Sequence, residues 1–472
     1  MKAPLRPGSA LSRRKILKYS LSGSLAAGLA PVLWLSGCSK RGRAKGASVI
    51  LIIIDTLRAD HLGCYGYTRD TSGGIDRFAA DGMLFENCFS HSPSTSASVA
   101  SILSGFLPHE TKVTNKTILP VKLRTLPLLL RPHGYKTAAV VSNYVFRDKR
   151  GWEKGFDIYD AKMKGHELNR DIPERVAEHT TDGAVKVLKK FRKDKFFLWL
   201  HYQDPHGPYT PPATVGELFK STADKPHLLK LNDTGSGRHG IPSYQRLGAS
   251  RDFHHYVSQY DGEIRYTDEH LKRLFDTLKQ LELYSDSLIV FTADHGEGMG
   301  GHDYYFAHGE YLYNSLTHVP LIMKWPAGPA GTKQDIVEHI DIVPTILKVL
   351  GVAPSPGVRG CDLAGPIPAA REIFAKMETA MVRDKIKYSI LADGFKLIHT
   401  PLYDRYELYD MKKDFGEEHD LINETDYRQL RGDMKTRLRR VREQDLLKLG
   451  TVKTGRLSEE ELQKLKTLGY VE

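Results

Sequence analysis

The chain has 472 residues, a formal net charge of +11, and a composition that is 40% hydrophobic and 26% charged. That length fits one large α/β domain with additions or two or three ordinary domains, and the apolar share is enough for a full core, which excludes a disordered chain. Ten Lys or Arg and no acid fall in residues 1–45, leaving +1 for residues 46–472, so the basicity belongs to a leader and a nucleic-acid partner is not expected.

The leader opens with "SRRKILK" (Ser12 to Lys18), continues as an apolar, small-residue run from Tyr19 to Leu35 and closes on "LSGC". A charged start, an apolar middle and a small-residue cleavage site are the physical parts of an export signal. The arginine pair is similar to the twin-arginine type, and "LSGC" resembles a bacterial lipoprotein box in which Cys38 becomes the acylated first residue. Residues 1–37 are therefore expected to be a signal peptide and 38–47 a linker. The mature protein is expected to be a periplasmic or cell-envelope lipoprotein, held to the membrane by its N-terminal lipid. An uncleaved anchor is the alternative, since the apolar run is near the shorter limit for spanning a bilayer. The other cysteines, Cys64, Cys88 and Cys361, are odd in number and irregular in spacing, so burial as small apolar residues is expected rather than a disulfide framework.

The first apolar run of the folded part, "SVILIII" (Ser48 to Ile54), is short, continuous and β-branched, which fits a strand buried on both faces of a parallel sheet. It ends at Asp55. "KTAAVV" ends at Ser142-Asn143, "KFFLWL" at His201 before "YQDPHGPY", and "SLIVFT" at "ADHGEG". Helical patterns such as "HTTDGAVKVLKKFRK" and "IRYTDEHLKRLFDTLKQLEL" lie between them. The expected fold is α/β, a doubly wound and mainly parallel sheet. Ligands of such sheets bind beyond the carboxyl ends of the strands, where this chain places Asp55, Asn143, His201, Asp204, His206, Asp294 and His295. The aperiodic stretch from Lys220 to Phe253 is long for a loop and is expected to cover or line the site, or to be a solvated insertion. A catalytic domain over residues 48–370 is followed by short strands and turns over 371–423, read as a smaller C-terminal antiparallel subdomain. Residues 424–472 are read as a helical tail packing back on the main domain.

"TADHGEG" is the sharpest local signal. Adjacent Asp294 and His295 offer one hard oxygen and one imidazole to the same cation, and Asp55 supplies a second carboxylate at the same edge. The hydroxyl-rich "SPSTSASVASILSG" (Ser92 to Gly105) has Val99, Ile102 and Leu103 at helical spacing, so its hydroxyls sit at a helix N-terminus, where N–H groups favour anions. A hydroxyl there that also touches a divalent cation can act as a nucleophile. The residues alone leave Ser92, Ser94, Thr95, Ser96 and Ser98 all open, and an N-cap role is the plain alternative.

Residues from Ser48 to about Asn423 resemble the sulfatase family of the alkaline-phosphatase superfamily. The resemblance rests on "IIIDTLRADHLGCYGY", "GGIDRFAADGMLFENCFS", "SASVASILSGFLPHE", "DPHGPY", "VFTADHGEGMGGH", "HVPLIMKWP" and "YELYDMKKDFGEEHDL", in the family's order. It implies Thr95 at the catalytic position, Asp55, Asp294 and His295 as metal ligands with Thr95 completing the set, and His206 as the anion-contacting histidine. Thr95, Ala97 and Val99 depart from the family's Cys-x-Pro-x-Arg pattern, so no formylglycine is expected. Asn143 and His308 stand where family lysines fall. His206 and His308 are catalytic candidates, and Asp204, His206, His308 and Asn143 form a possible second-metal or substrate-contact set. His201, His302 and Arg58 are candidates for a supporting role or for packing, and Asp341 for capping. One divalent ion is expected: manganese or zinc if His295 directs the choice, calcium if oxygens dominate. The implied activity is metal-dependent hydrolysis of sulfate-type or phosphate-type esters on a small molecule, glycan or lipid. Threonine cannot release sulfate as a formylglycine hydrate does, which turns attention to phosphodiester or phosphonate hydrolysis and to phospho-group transfer. A catalytically lapsed glycan-binding lipoprotein is the reading from another class.

Overall fold

The run "VILIII" forms β1 (Val49–Ile54), with all six residues buried. An unbroken apolar strand needs cover on both faces, and the structure supplies it with neighbours and helices. The computed structural model describes residues 47–220, 225–378, 384 and 386–448; the leader with Cys38 and the end of the tail lie outside the described residues. The other strands of the main sheet are β2 (Met83–Phe89), β3 (Lys136–Val141), β4 (Ile158–Asp160), β5 (Phe196–Tyr202), β6 (Leu288–Ala293), β7 (His318–Lys324) and β8 (Gly331–Glu338). Their order is β8-β2-β7-β6-β1-β5-β3-β4. β7 alone runs against the rest, so the sheet is mainly parallel, as expected.

Helices α1 (Gly73–Ala80), α3 (Ala177–Phe191) and α4 (Phe253–Gln280) form one packed layer, while α2 (Thr95–Ser104) lies against α5 (Ile342–Leu350). On α4, Leu271, Leu274, Phe275 and Leu278 are buried; that spacing is the stripe a helix presents to a sheet.

The C-terminal part is a four-stranded antiparallel sheet of β9 (Ile373–Glu378), β10 (Ile386–Ala392), β11 (Phe395–Thr400) and β12 (Arg405–Asp410), paired in chain order. The tail helix α6 (Arg428–Lys448) packs on the small sheet and also meets Pro108–Thr111 of the main domain. Met434 and Leu438, one turn apart, cover Phe374, Tyr388, Ile390, Leu397 and Leu408 of the small sheet. That sheet has an apolar face to bury, and α6 supplies the matching stripe. Buried Lys396 of β11 ties the small sheet to the turn that leads into β7 by donating to Asn314 Oδ1 at 2.9 Å, and it pairs with Glu417 Oε1, in the loop after β12, at 2.8 Å. Cys88 is buried and Cys64 half-buried, both as free thiols. Among the described residues no helix is long and apolar enough to cross a membrane.

Strand register places the chemistry. Ile54 pairs with Ala293 on one side and Tyr202 on the other, and Val141 pairs with His201. Parallel strands with level ends deliver Asp55, Asp294-His295 and Asn143 to one rim.

Candidate active site

At that rim, Asp55 and Asp294 each commit one carboxylate oxygen to the protein and leave the other without a partner. Asn143 Nδ2 donates to Asp55 Oδ2 at 2.7 Å. The backbone N–H groups of Thr56 and His295 donate to Asp294 Oδ1 at 3.1 and 2.8 Å. Asp55 Oδ1 and Asp294 Oδ2 are buried and unpaired, at 4.0 and 3.6 Å from His295 Nε2. Thr95 Oγ1 stands 3.4 Å from the same nitrogen. The four residues read from the sequence as a cation set therefore converge on one point.

The donor chemistry fits a divalent cation. A carboxylate oxygen buried without a partner is costly in a protein interior, and two facing each other repel when ionised. Burial, followed by the charge of Asp294, pushes the Asp55 carboxyl well above the carboxylate range. Burial pushes Asp294 up to about 7. Burial and then neighbouring His308 hold the His295 imidazole neutral. His295 Nδ1 lies 2.9 Å from the carbonyl of Gly296; a proton there leaves Nε2 with a free lone pair, the tautomer of a metal ligand. His201 comes nearer than the sequence suggested. Donor atoms of Asp55, His201 and Asp294 all lie within 4.8 Å of one another, with His201 Nε2 4.0 Å from Asp55 Oδ2. His201 packs edge-on to Phe146 and Trp199, and neither of its nitrogens has a hydrogen-bond partner to set the tautomer. That difference makes His295 the better-prepared ligand and His201 an additional donor.

The local backbone explains how these groups fit. Thr56, immediately after Asp55, has φ +58°, a region costly for a β-branched residue. Its N–H is held by Asp294, and its carbonyl accepts from Tyr260 Oη at 2.7 Å. A Cβ on Gly296 would lie 2.1 Å from the carbonyl oxygen of Ser315, so the turn after His295 needs glycine to pass that strand lead-in. Thr95 is the first residue of α2, after Ser94 in extended conformation, so the helix N-terminus faces the rim as the sequence reading expected.

His206 and His308 stand beside the acids. His308 lies 4.6 Å from His295 and 5.1 Å from His206 between ring centroids. Its Nδ1 is 3.1 Å from Glu297 Oε1, and Tyr209 Oη donates to Glu297 Oε2 at 2.9 Å. His206 Nδ1 lies 3.1 Å from Gln203 Nε2, and burial followed by His308 holds its imidazole neutral. Tyr244, within the aperiodic stretch, lines this wall: its ring faces His206 at 6.5 Å, and its hydroxyl donates to the Phe306 carbonyl at 3.2 Å.

Other candidates are taken up by partners within the protein. Asp204 is buried with Oδ2 accepting the N–H of Ala177 at 2.6 Å, so it anchors the start of α3 rather than joining His206 and His308. The turn through "DPHGPY" sends the two side chains apart. Asn143 orients Asp55 and accepts from Val145 N through Oδ1 at 2.9 Å, which leaves it little capacity for a substrate. Arg58 forks onto Asp60 at 2.9 and 2.6 Å and donates to the Glu297 carbonyl at 2.9 Å. His302 stacks on Tyr313 with centroids 3.5 Å apart. Asp341 accepts from Glu338 N at 2.9 Å as a cap and also holds Arg371 at 2.7 and 2.8 Å. Sequence reasoning missed Glu297, although it stands two residues after His295 in the same motif.

Comparison with known proteins gives the family and the fold. The family profile described as Sulfatase matches residues 47–352, and one described as N-sulphoglucosamine sulphohydrolase, C-terminal, matches residues 300–444. The chain is 24% identical to an N-acetylglucosamine-6-O-sulfatase of Bacteroides thetaiotaomicron, over 84% of this chain and 86% of that one. It is 25% identical to a Delta 4,5-hexuronate-2-O-sulfatase of the same organism, over 84% and 88%. Among solved structures, one in complex with its substrate D-glucosamine-2-N,6-O-disulfate superposes with a TM-score of 0.72 at 21% identity, covering 84% of this chain and 98% of that one. The phosphonate monoester hydrolase of Agrobacterium radiobacter superposes with a TM-score of 0.68 at 20% identity, covering 84% and 96%.

Proposed function

Since this chain belongs to the sulfatase family of ester hydrolases, we propose that it hydrolyses anionic sulfate-type or phosphate-type esters, with Thr95 as nucleophile and Asp55, Asp294 and His295 holding a divalent cation. One observation carries the reading: two buried, unpartnered carboxylate oxygens and the Thr95 hydroxyl gather within 3.4–4.0 Å of His295 Nε2. A divalent cation there would withdraw charge from the ester oxygens and make a neighbouring hydroxyl more acidic. Manganese or zinc suits the His295 imidazole, and His201 is a further donor.

The chain's own groups do the rest. The start of α2, whose Ser96 N–H already donates to Asn115 Oδ1 at 3.3 Å, turns its positive dipole end toward the developing negative charge on the ester's non-bridging oxygens. Thr95 Oγ, its proton passing to solvent, attacks the central sulfur or phosphorus in line with the leaving oxygen, and the bond from the central atom to that oxygen breaks. His206 and His308 are placed to bind the ester or to give the leaving oxygen a proton, with Glu297 holding the His308 ring. Water then hydrolyses the threonine ester. That second attack is routine at phosphorus, and threonine, unlike a formylglycine hydrate, has no route that expels sulfate by forming an aldehyde. The nucleophile therefore favours a phosphodiester or phosphonate, while the sulfatase relatives favour a sulfated glycan unit.

The deciding experiment assays the purified protein on aryl sulfate, phosphate monoester, phosphodiester and phosphonate substrates, beside Thr95→Ala and Thr95→Cys. Thr95→Ala should lose turnover on every substrate the wild type cleaves. Full retained rate in Thr95→Ala would remove the nucleophile assignment. The leader carries a separate proposal, export with acylation of Cys38 and anchoring to a membrane, supported by its arginine pair and "LSGC".

A further inference from the structure

The hydroxyl-rich connection between β2 and α2 brings two serines to a single carbonyl. Ser98 Oγ donates to the Asp294 carbonyl oxygen at 2.6 Å. Ser90 Oγ lies 2.7 Å from the same oxygen and 3.1 Å from Ser98 Oγ. Both serines are completely buried. On the far side of Ser98, His339 Nδ1 lies 3.3 Å from its oxygen, and His339 Nε2 lies 3.2 Å from Thr292 Oγ1 of β6.

The placement matters because of what stands on either side. Ser98 follows Thr95 by one helical turn on α2, and Asp294 is itself one candidate cation ligand and the neighbour of another. The short Ser98 hydrogen bond thus ties the helix carrying the nucleophile to the backbone of the strand end carrying the ligands, beside the longer 3.4 Å approach of Thr95 Oγ1 to His295 Nε2. Ser101 and Ser104 do not make that link: they donate to Ala97 and Ala100 of their own helix at 3.3 and 2.5 Å. Ser94 makes no side-chain cap at the helix start; the Ser96 N–H is held instead by Asn115 Oδ1 at 3.3 Å, from another segment, so the first turn has no cap of its own and its placement depends on tertiary ties.

We propose that Ser98, assisted by Ser90, is a positioning residue that sets the separation between Thr95 Oγ1 and the Asp294-His295 pair. The proposal rests on the reading of Thr95 as nucleophile, and it explains a serine that touches neither ester nor cation. Geometric demand on in-line attack is severe; a misplacement of about 1 Å costs on the order of 100-fold in rate.

The test compares wild type with Ser98→Ala, Ser90→Ala and the double variant, with Ser101→Ala as control. Ser98→Ala should lose about 10- to 100-fold in kcat, the range seen when a supporting group is removed, while KM stays within about threefold. Ser90→Ala should shift in the same direction by less. The double variant should lose more than the product of the two, because either hydroxyl partly serves the shared carbonyl. Ser101→Ala should keep wild-type kcat. Crystal structures of wild type and Ser98→Ala give a readout that needs no turnover: the Thr95 Oγ1 to His295 Nε2 separation should lengthen in the variant. A kcat within about twofold of wild type, or an unchanged separation, overturns the positioning role. Failure of the nucleophile reading shows separately, as full activity in Thr95→Ala, and leaves the crystallographic comparison to judge the Ser98 tie.

Discussion

Raising the pH should destabilise the protein when it is stripped of cations. Burial lifts the Asp294 carboxyl from 3.8 to about 7, and burial together with Asp294 lifts Asp55. Both folded-state values lie above the unfolded ones, so the cation-free fold prefers the neutral acids. That preference is fully present below about pH 4 and is lost as the pH climbs through about 7. The interval for Asp294 is about three units, and at about 1.4 kcal/mol per unit it is worth at most about 4 kcal/mol. A bound cation reverses the sign because it requires ionised ligands, so its affinity should rise at least about tenfold per unit as the pH climbs toward about 7, and more steeply where Asp55 is protonated as well. The assay is thermal unfolding of chelated and manganese-loaded protein between about pH 5 and about pH 8, a window chosen to span the Asp294 titration, with Asp294→Asn alongside. The midpoint of the chelated wild type should fall relative to Asp294→Asn as the pH rises, and the stabilisation by manganese should grow. A chelated wild type that holds or gains relative to Asp294→Asn, or a manganese effect equal at both ends, refutes the picture of two buried acids awaiting a cation.

Asn143→Ala leaves Asp55 Oδ2 without its donor, so cation affinity measured by calorimetry should weaken about 10- to 100-fold. Lys396→Met leaves buried Glu417 Oε1 without its cation; the expected loss is about 3–5 kcal/mol, read from the denaturant midpoint. Cys38→Ala should abolish the added acyl mass of the exported protein and release it from membranes, measured by intact mass and fractionation.

Much of the architecture was legible in the sequence, for a simple reason. "VILIII" has no polar interruption, and such a run is stable only where both faces are covered; the same holds for the later runs ending at Asn143, His201 and Asp294. Four such runs separated by helical patterns leave few alternatives to a parallel sheet with its ligands on one rim. The tail was harder to place: Met434 and Leu438 announce an apolar face on α6, but nothing local says which of two sheets receives it.

Local pattern by itself determined that carboxylates and an imidazole end adjacent strands, because strand length and polarity are properties of a few consecutive residues. Which hydroxyl among Ser92, Ser94, Thr95, Ser96 and Ser98 meets His295 was decided by how α2 sits against β6. Each step along a helix rotates the side chain by about 100°, so neighbouring hydroxyls face entirely different surroundings. The same holds for Asp204, turned toward α3 by a bend only two residues from His206, and for Glu297, whose partner His308 arrives by the folding back of a loop. Side-chain direction at a turn depends on long-range contacts that meet only once the chain is packed.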